Sequence, residues 1–133
     1  MKLYTSRYQN KELERGQYTA VRITRGSPRF KLGYTLAGSI MELAPSKELF
    51  YEKDGSLFRE KFIGQLEEVG VGAVAAALEK FRAMGKDVVL CCFEDVRIPG
   101  QRCHRIVFAD WWQKKTGESV AELPDMSEPK AAK

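Results

Sequence analysis

Residues 87–108 read DVVLCCFEDVRIPGQRCHRIVF, and their interpretation decides the fold. The first seven, DVVLCCF, form a continuous apolar run rich in β-branched side chains and bounded by a charge and a loop. That is the pattern of a central strand buried on both faces. A helix is expected from about residue 103 to 115, ending at Thr116 and Gly117. Working outward, KLYTS (2–6) and YTAVRITRG (18–26) read as two earlier strands. GSPRFKLGYTLAGS (26–39) has no period and reads as a long loop, leading to a short strand near SIMELAP (39–45). Ser46 opens a helical turn, and Ser56 is expected to cap the next helix. Phe58, Phe62, Leu66 and Val69 fall on one helical stripe, and Val71, Val74, Ala75, Leu78 and Phe81 on a second. SVAEL (119–123) reads as a last strand. Strands alternating with helices predict a single α/β domain over residues 1–123, with a small, mostly parallel sheet flanked by helices in Rossmann-like layering. Residues 124–133 are polar and proline-containing, and are expected to form a disordered tail.

Composition narrows the function classes. The chain has 133 residues and is 44% hydrophobic, enough for one ordinary core. Three cysteines, two of them adjacent, make a poor disulfide framework, and the opening MKLYTSRYQN has no apolar signal region; a cytoplasmic setting with reduced thiols is expected. The longest apolar stretch, VGVGAVAAAL (69–78), is about half the roughly 20 residues of a membrane span, so no membrane partner is expected. The net charge of +4 is unevenly placed. Residues 1–41 hold eight basic side chains against two acidic ones, net +6, and the remainder fourteen against sixteen, net −2. Such asymmetry points to an anionic partner: a small phosphate-bearing or nucleotide-like ligand, or nucleic acid.

Strand parity sorts the cysteines. Val88, Leu90, Cys92 and Glu94 share one face of the strand, and Val89, Cys91 and Phe93 the other, so Cys91 and Cys92 cannot serve one site. On the helix, His104, Val107, Phe108 and Trp111 form the inward stripe, with Cys103 and Arg105 flanking His104. Strand end and helix start meet at the carboxyl edge of the sheet, where open α/β folds bind ligands. The candidate chemical cluster is Cys92, Glu94, Cys103, His104 and Arg105, and the candidate ligand-holding set is Ser6, Arg7, Arg25, Arg29 and Lys31. A thiolate at Cys92 or Cys103 would need a base or cation, which His104 or Arg105 could supply, and Glu94 could orient the histidine or carry a proton. A single histidine on an apolar stripe is about as often a satisfied core residue, and both readings stand at this point.

Other chemistries fit less well. Cys91 and Arg97 are spaced as C-x5-R, but Glu94 and Asp95 inside that loop would repel a phosphate. No metal site and no cofactor are expected, because adjacent Cys103 and His104 diverge on a helix and the spacing matches no common zinc module. A Cys92–Cys103 bridge is geometrically allowed and would be a redox state in a reducing compartment. The nucleic-acid alternative would use Arg7, Arg22, Arg25, Arg29 and Lys31 with Tyr8, Phe30 and Tyr34.

LCCFE (90–94) and CHR (103–105), together with YTSRYQN (4–10) and RITRGSPRFKLGY (22–34), resemble the bacterial family catalogued as domain of unknown function 488. The resemblance spans roughly residues 2–123. It implies a site at Cys92, Glu94, Cys103, His104 and Arg105, with Arg25 as counterpart of the arginine after the second strand. The family has no established activity, so the resemblance implies no reaction. This chain departs from many relatives in having Ile23 where they carry an Asp.

Overall fold

The strand β4 (Asp87–Cys92) occupies the middle of a five-stranded sheet in a computed structural model that describes residues 1–98 and 103–129. With β1 (Leu3–Arg7), β2 (Tyr18–Arg22), β3 (Gly38–Ser39) and β5 (Ala121–Glu122), it gives the order β3-β2-β4-β1-β5. Every pairing is parallel, with Leu3 opposite Val88 on one side of β4 and Thr19 opposite Val88 on the other. A parallel central strand must be apolar on both faces, and residues 88–92 are all buried. The α/β class and the parallel sheet are as the sequence predicts.

Among the described residues there are four α-helices, three between β3 and β4 and one after β4: α1 (Lys47–Phe50), α2 (Gly55–Val69), α3 (Val71–Arg82) and α4 (His104–Thr116). Phe62 and Leu66 of α2, Val74 and Leu78 of α3, and Val107, Phe108, Trp111 and Trp112 of α4 pack in one cluster with Leu3, Val21, Val88 and Leu90. The opposite face of the sheet, at Ala20, Val89 and Cys91, is covered by Tyr8, Leu13 of a 3-10 helix (Lys11–Arg15), Leu123, and Leu32, Tyr34 and Leu36 of the long loop. The α-helices thus pack on one face of the sheet, and side chains of the 3-10 helix and the long loop cover the other.

Local details differ too. Asp54, rather than Ser56, caps α2, its carboxylate accepting from the Leu57 amide at 3.0 Å. Gly70 has φ 87°, which glycine enters without strain, and so lets the chain leave α2 and enter α3 in one residue. Ala75 is exposed, although it lies on the predicted stripe. Trp112 joins the core beside Trp111, stacking on Phe108 at 5.8 Å and donating its indole N–H to Glu118 at 2.8 Å. No helix among the described residues is long and apolar enough to cross a membrane.

Candidate functional site

The carboxyl edge of the sheet gathers the site because β1, β2 and β4 end there side by side, and the residues that follow β1 and β2 stay bonded to the last two residues of β4. The Tyr8 amide donates to the Cys92 carbonyl at 2.8 Å, and the Ile23 amide to the Cys91 carbonyl at 3.2 Å. Helix α4 begins at the same edge. Cys103 is its N-cap residue with extended backbone, φ −144° and ψ 141°. Extended geometry removes the roughly 100° divergence that two consecutive helical residues would show. Cys103 Sγ consequently lies 3.7 Å from Nδ1 of His104 and is joined to Cys92 by a disulfide.

His104 is held from three sides. Its Nε2 lies 2.6 Å from the Ile23 carbonyl, which can only accept, so Nε2 carries the proton and Nδ1 presents its lone pair toward Cys103. Phe62 meets the ring edge-on, with centroids 5.6 Å apart. Burial lowers the His104 pKa to about 4, against the opposing effect of the Ile23 hydrogen bond, so the imidazole is neutral at neutral pH. Glu94, a candidate orienter of this ring in the sequence, does not perform that role; Ile23 does.

Arg105 points away from solvent, with a side chain 0% exposed. Its Nε and one terminal nitrogen donate to the two Glu122 oxygens at 3.0 and 2.7 Å, and its other terminal nitrogen donates to Cys92 Sγ at 3.0 Å. Thr5 adds a hydroxyl donated to Glu122 Oε1 at 2.7 Å. A buried guanidinium needs such a carboxylate. Glu122 was legible only as part of a last strand, and nothing in its neighbourhood in the chain marks it as the partner of Arg105.

A cleft of about 210 Å³ opens beside this cluster. Cys103, His104 and Glu94 line it, as do Thr24, Arg25 and Gly26 after β2. Phe50, Phe58 and Phe93 provide aromatic wall, and Pro45 and Glu52 complete the lining. Arg25 is steadied by donating Nε to the Pro45 carbonyl at 2.7 Å. Glu94 Oε2 is closed off from solvent and has no hydrogen-bond partner among the described residues. Thus Cys103, His104, Glu94 and Arg25 share one cleft, while Cys92 and Arg105 lie behind it, bonded to Cys103 and to Cys92 respectively. Thr24 and the three phenylalanines were missed in the sequence because they come from four separate segments.

The other candidates are placed elsewhere. Ser6 is buried, its hydroxyl donating to the Arg7 carbonyl at 3.0 Å. Arg7 donates to Asp125 at 2.5 Å and to Ser127 at 2.7 Å. Arg29 and Lys31 are exposed on the 26–39 loop and do not line the cleft. Of the nucleic-acid set, Tyr8 is fully buried, Tyr34 donates its hydroxyl to the Tyr8 carbonyl at 2.7 Å, and Arg22 donates to the Thr24 and Arg25 carbonyls. Two of the three aromatic side chains are therefore committed to packing.

Arg97 chelates Asp95 at 2.9 and 2.8 Å and donates to the carbonyls of Asp125 and Ser127. Residues 124–129, part of the expected disordered tail, are thus tied at Asp125 and Ser127 to two arginines; residues 130–133 lie outside those described, as do 99–102 of the loop before α4. The Arg97 hydrogen bonds hold the Asp95 carboxyl down at about 2. A carboxyl depressed in the folded state stabilises above its unfolded pKa, roughly 4, and loses that contribution as pH falls through the folded value. Urea unfolding at stepped pH is expected to show stability falling from about pH 4 toward pH 2, and Asp95→Asn is expected to flatten that slope.

No protein-family model, no curated protein and no solved structure matches this chain.

Proposed function

We propose that this protein binds a small anionic, nucleotide-like ligand in the cleft and acts on it at the Cys103–His104 end. The observation that carries the reading is the meeting, in one cleft, of a cation, Arg25, with a carboxylate, Glu94, one oxygen of which has no hydrogen-bond partner among the described residues. A bare anion would satisfy Arg25 but would be repelled by Glu94 and Glu52. A ligand with an anionic group at one end and N–H donors on an aromatic ring at the other suits both, and the phenylalanine walls offer that ring apolar contact. Nucleotides combine these groups. A neutral His104 beside Cys103 is in the protonation state a base requires. The cytoplasmic setting belongs to the same reading, since a reducing compartment would keep Cys92 and Cys103 as thiols.

The test is calorimetric binding of nucleoside monophosphates and, separately, inorganic phosphate to the reduced protein. A nucleoside monophosphate is expected to bind and phosphate alone to bind far more weakly. Losing one charge-assisted contact is worth about 1.5–3 kcal/mol, so Arg25→Ala should weaken binding roughly 10- to 150-fold. Equal binding by Arg25→Ala, Glu94→Gln and the parent would remove the basis for the proposal, as would no binding of any nucleotide.

A further inference from the structure

We infer that Cys92, Cys103 and His104, with the cysteines reduced, form a binding site for a thiophilic divalent cation, zinc above all, with one coordination position facing the cleft beside Glu94. The inference goes beyond the ligand reading and concerns the same end of the cleft.

Two sulfurs and one imidazole nitrogen lie within 4.8 Å of one another, and all three residues are buried. Zinc takes thiolate sulfur at about 2.3 Å and imidazole nitrogen at about 2.0 Å, so the edges of a tetrahedral site are roughly 3.4–3.8 Å long. The 3.7 Å between Cys103 Sγ and His104 Nδ1 is such an edge. The expectation against a metal rested on Cys103 and His104 diverging as helical neighbours and on a spacing that matches no common zinc module; the extended backbone of Cys103 removes the first objection.

The surroundings are those a metal-binding trio requires. A ligating histidine ordinarily donates its second ring N–H to a carbonyl or carboxylate, which fixes ring and tautomer. His104 does so to Ile23, turning Nδ1 toward the sulfurs. Arg105, itself anchored on Glu122, donates to Cys92 Sγ, the partner a thiolate ligand accepts. Cys103 and His104 border the cleft while Cys92 is sealed behind them, so the fourth position of a tetrahedron opens on the cleft. Two cysteines and one histidine with an open position make a donor set of catalytic zinc, which lowers the pKa of a bound water. Glu94 lines the same cleft, and a carboxylate that is not itself a ligand is the group that takes a proton from such a water.

Loading begins from the disulfide. A phosphine reductant and one water convert the Cys92–Cys103 bond to two thiols and a phosphine oxide, the sulfurs part, and each thiol releases one proton as the cation binds. His104 enters neutral and releases none.

The experiment uses the full chain, reduced with a phosphine, freed of reductant without oxygen, and titrated with cobalt(II) in the absence of nucleotide. One equivalent is expected to produce thiolate-to-cobalt charge-transfer absorption and the intense visible bands of tetrahedral coordination, both abolished by zinc. Native mass spectrometry of the zinc-treated parent is expected to show one added zinc less two protons. Cys91→Ser should behave as the parent. Cys103→Ser and His104→Gln should each weaken cobalt binding beyond the roughly 10- to 100-fold seen when an outer-shell partner is lost. An unchanged parent mass, a weak octahedral spectrum, or full-strength bands in Cys103→Ser and His104→Gln overturns the inference. Because no nucleotide is present, that outcome leaves the ligand reading to be judged by its own binding experiment.

Discussion

Glutamine in place of Glu122 is expected to lower the unfolding free energy by about 3 kcal/mol, read as a fall in the urea midpoint at neutral pH. The change keeps the shape of the side chain and removes only its charge. Arg105 is wholly enclosed, and Glu122 supplies both oxygens that its guanidinium reaches at 2.7 and 3.0 Å. Without that charge the cation stays buried beside a neutral amide, and the desolvation it suffered on folding is no longer offset. Breaking a buried pair from one side costs about 3–5 kcal/mol, and the lower figure applies here because the Glu122 side chain is 32% exposed and water can reach it. Arg105→Met combined with Glu122→Leu removes both charges, and is expected to recover most of the loss despite leaving the Thr5 hydroxyl without its carboxylate. A Glu122→Gln protein as stable as the parent would mean that Arg105 is not sustained by this carboxylate.

Alanine at Phe62 is expected to cost about 3–5 kcal/mol. Phe62 is fully buried, lies 6.0 Å from the Phe58 ring in a stacked arrangement, and braces the edge of His104. The substitution opens a cavity between α2 and the start of α4, so the loss combines the transfer of a large apolar group with vanished contacts that the surroundings only partly restore. Chemical denaturation measures the cost. Phe58→Ala is expected to cost less, since Phe58 is only partly buried and borders the cleft. Equal losses at the two positions would show that Phe62 has no special bracing role.

The sheet was legible in the sequence because its signals are local. DVVLCCF is apolar at every position from 88 to 92, and only a strand enclosed on both faces needs that; β4 is such a strand. Parity along it separated Cys91 from Cys92, and the two face different clusters or partners in the structure: Cys91 packs with Tyr8 and Val89, whereas Cys92 bonds Cys103. Burial pushes the Cys91 thiol up to about 12, consistent with a side chain that packs rather than reacts. The placing of His104 on an inward stripe followed from 3.6-residue spacing and also survives.

What failed were statements about which group meets which across the fold. Arg7 was expected to hold a ligand, but a carboxylate 118 residues away, on Asp125, takes its guanidinium. Nothing in the residues around Arg7 encodes that distance. The expectation that Cys103 and His104 diverge failed for a different reason. A helix boundary misplaced by one residue, at Cys103, changes the direction of a side chain altogether, because the N-cap residue has extended and not helical dihedrals.

By itself, then, the sequence determined the central strand, the two earlier strands, the helix that follows the central strand, and the edge of the sheet where cysteine, histidine and glutamate converge. Periodicity and apolar runs carry those features, and both are properties of neighbouring residues. Only the tertiary structure decided that Arg105 turns inward to Glu122, that Arg25 and not Arg7 borders the cleft, and that Cys92, Cys103 and His104 present their donor atoms to one point. Those outcomes depend on charge pairing and backbone direction between segments far apart in the chain, where desolvation selects partners that sequence spacing does not reveal.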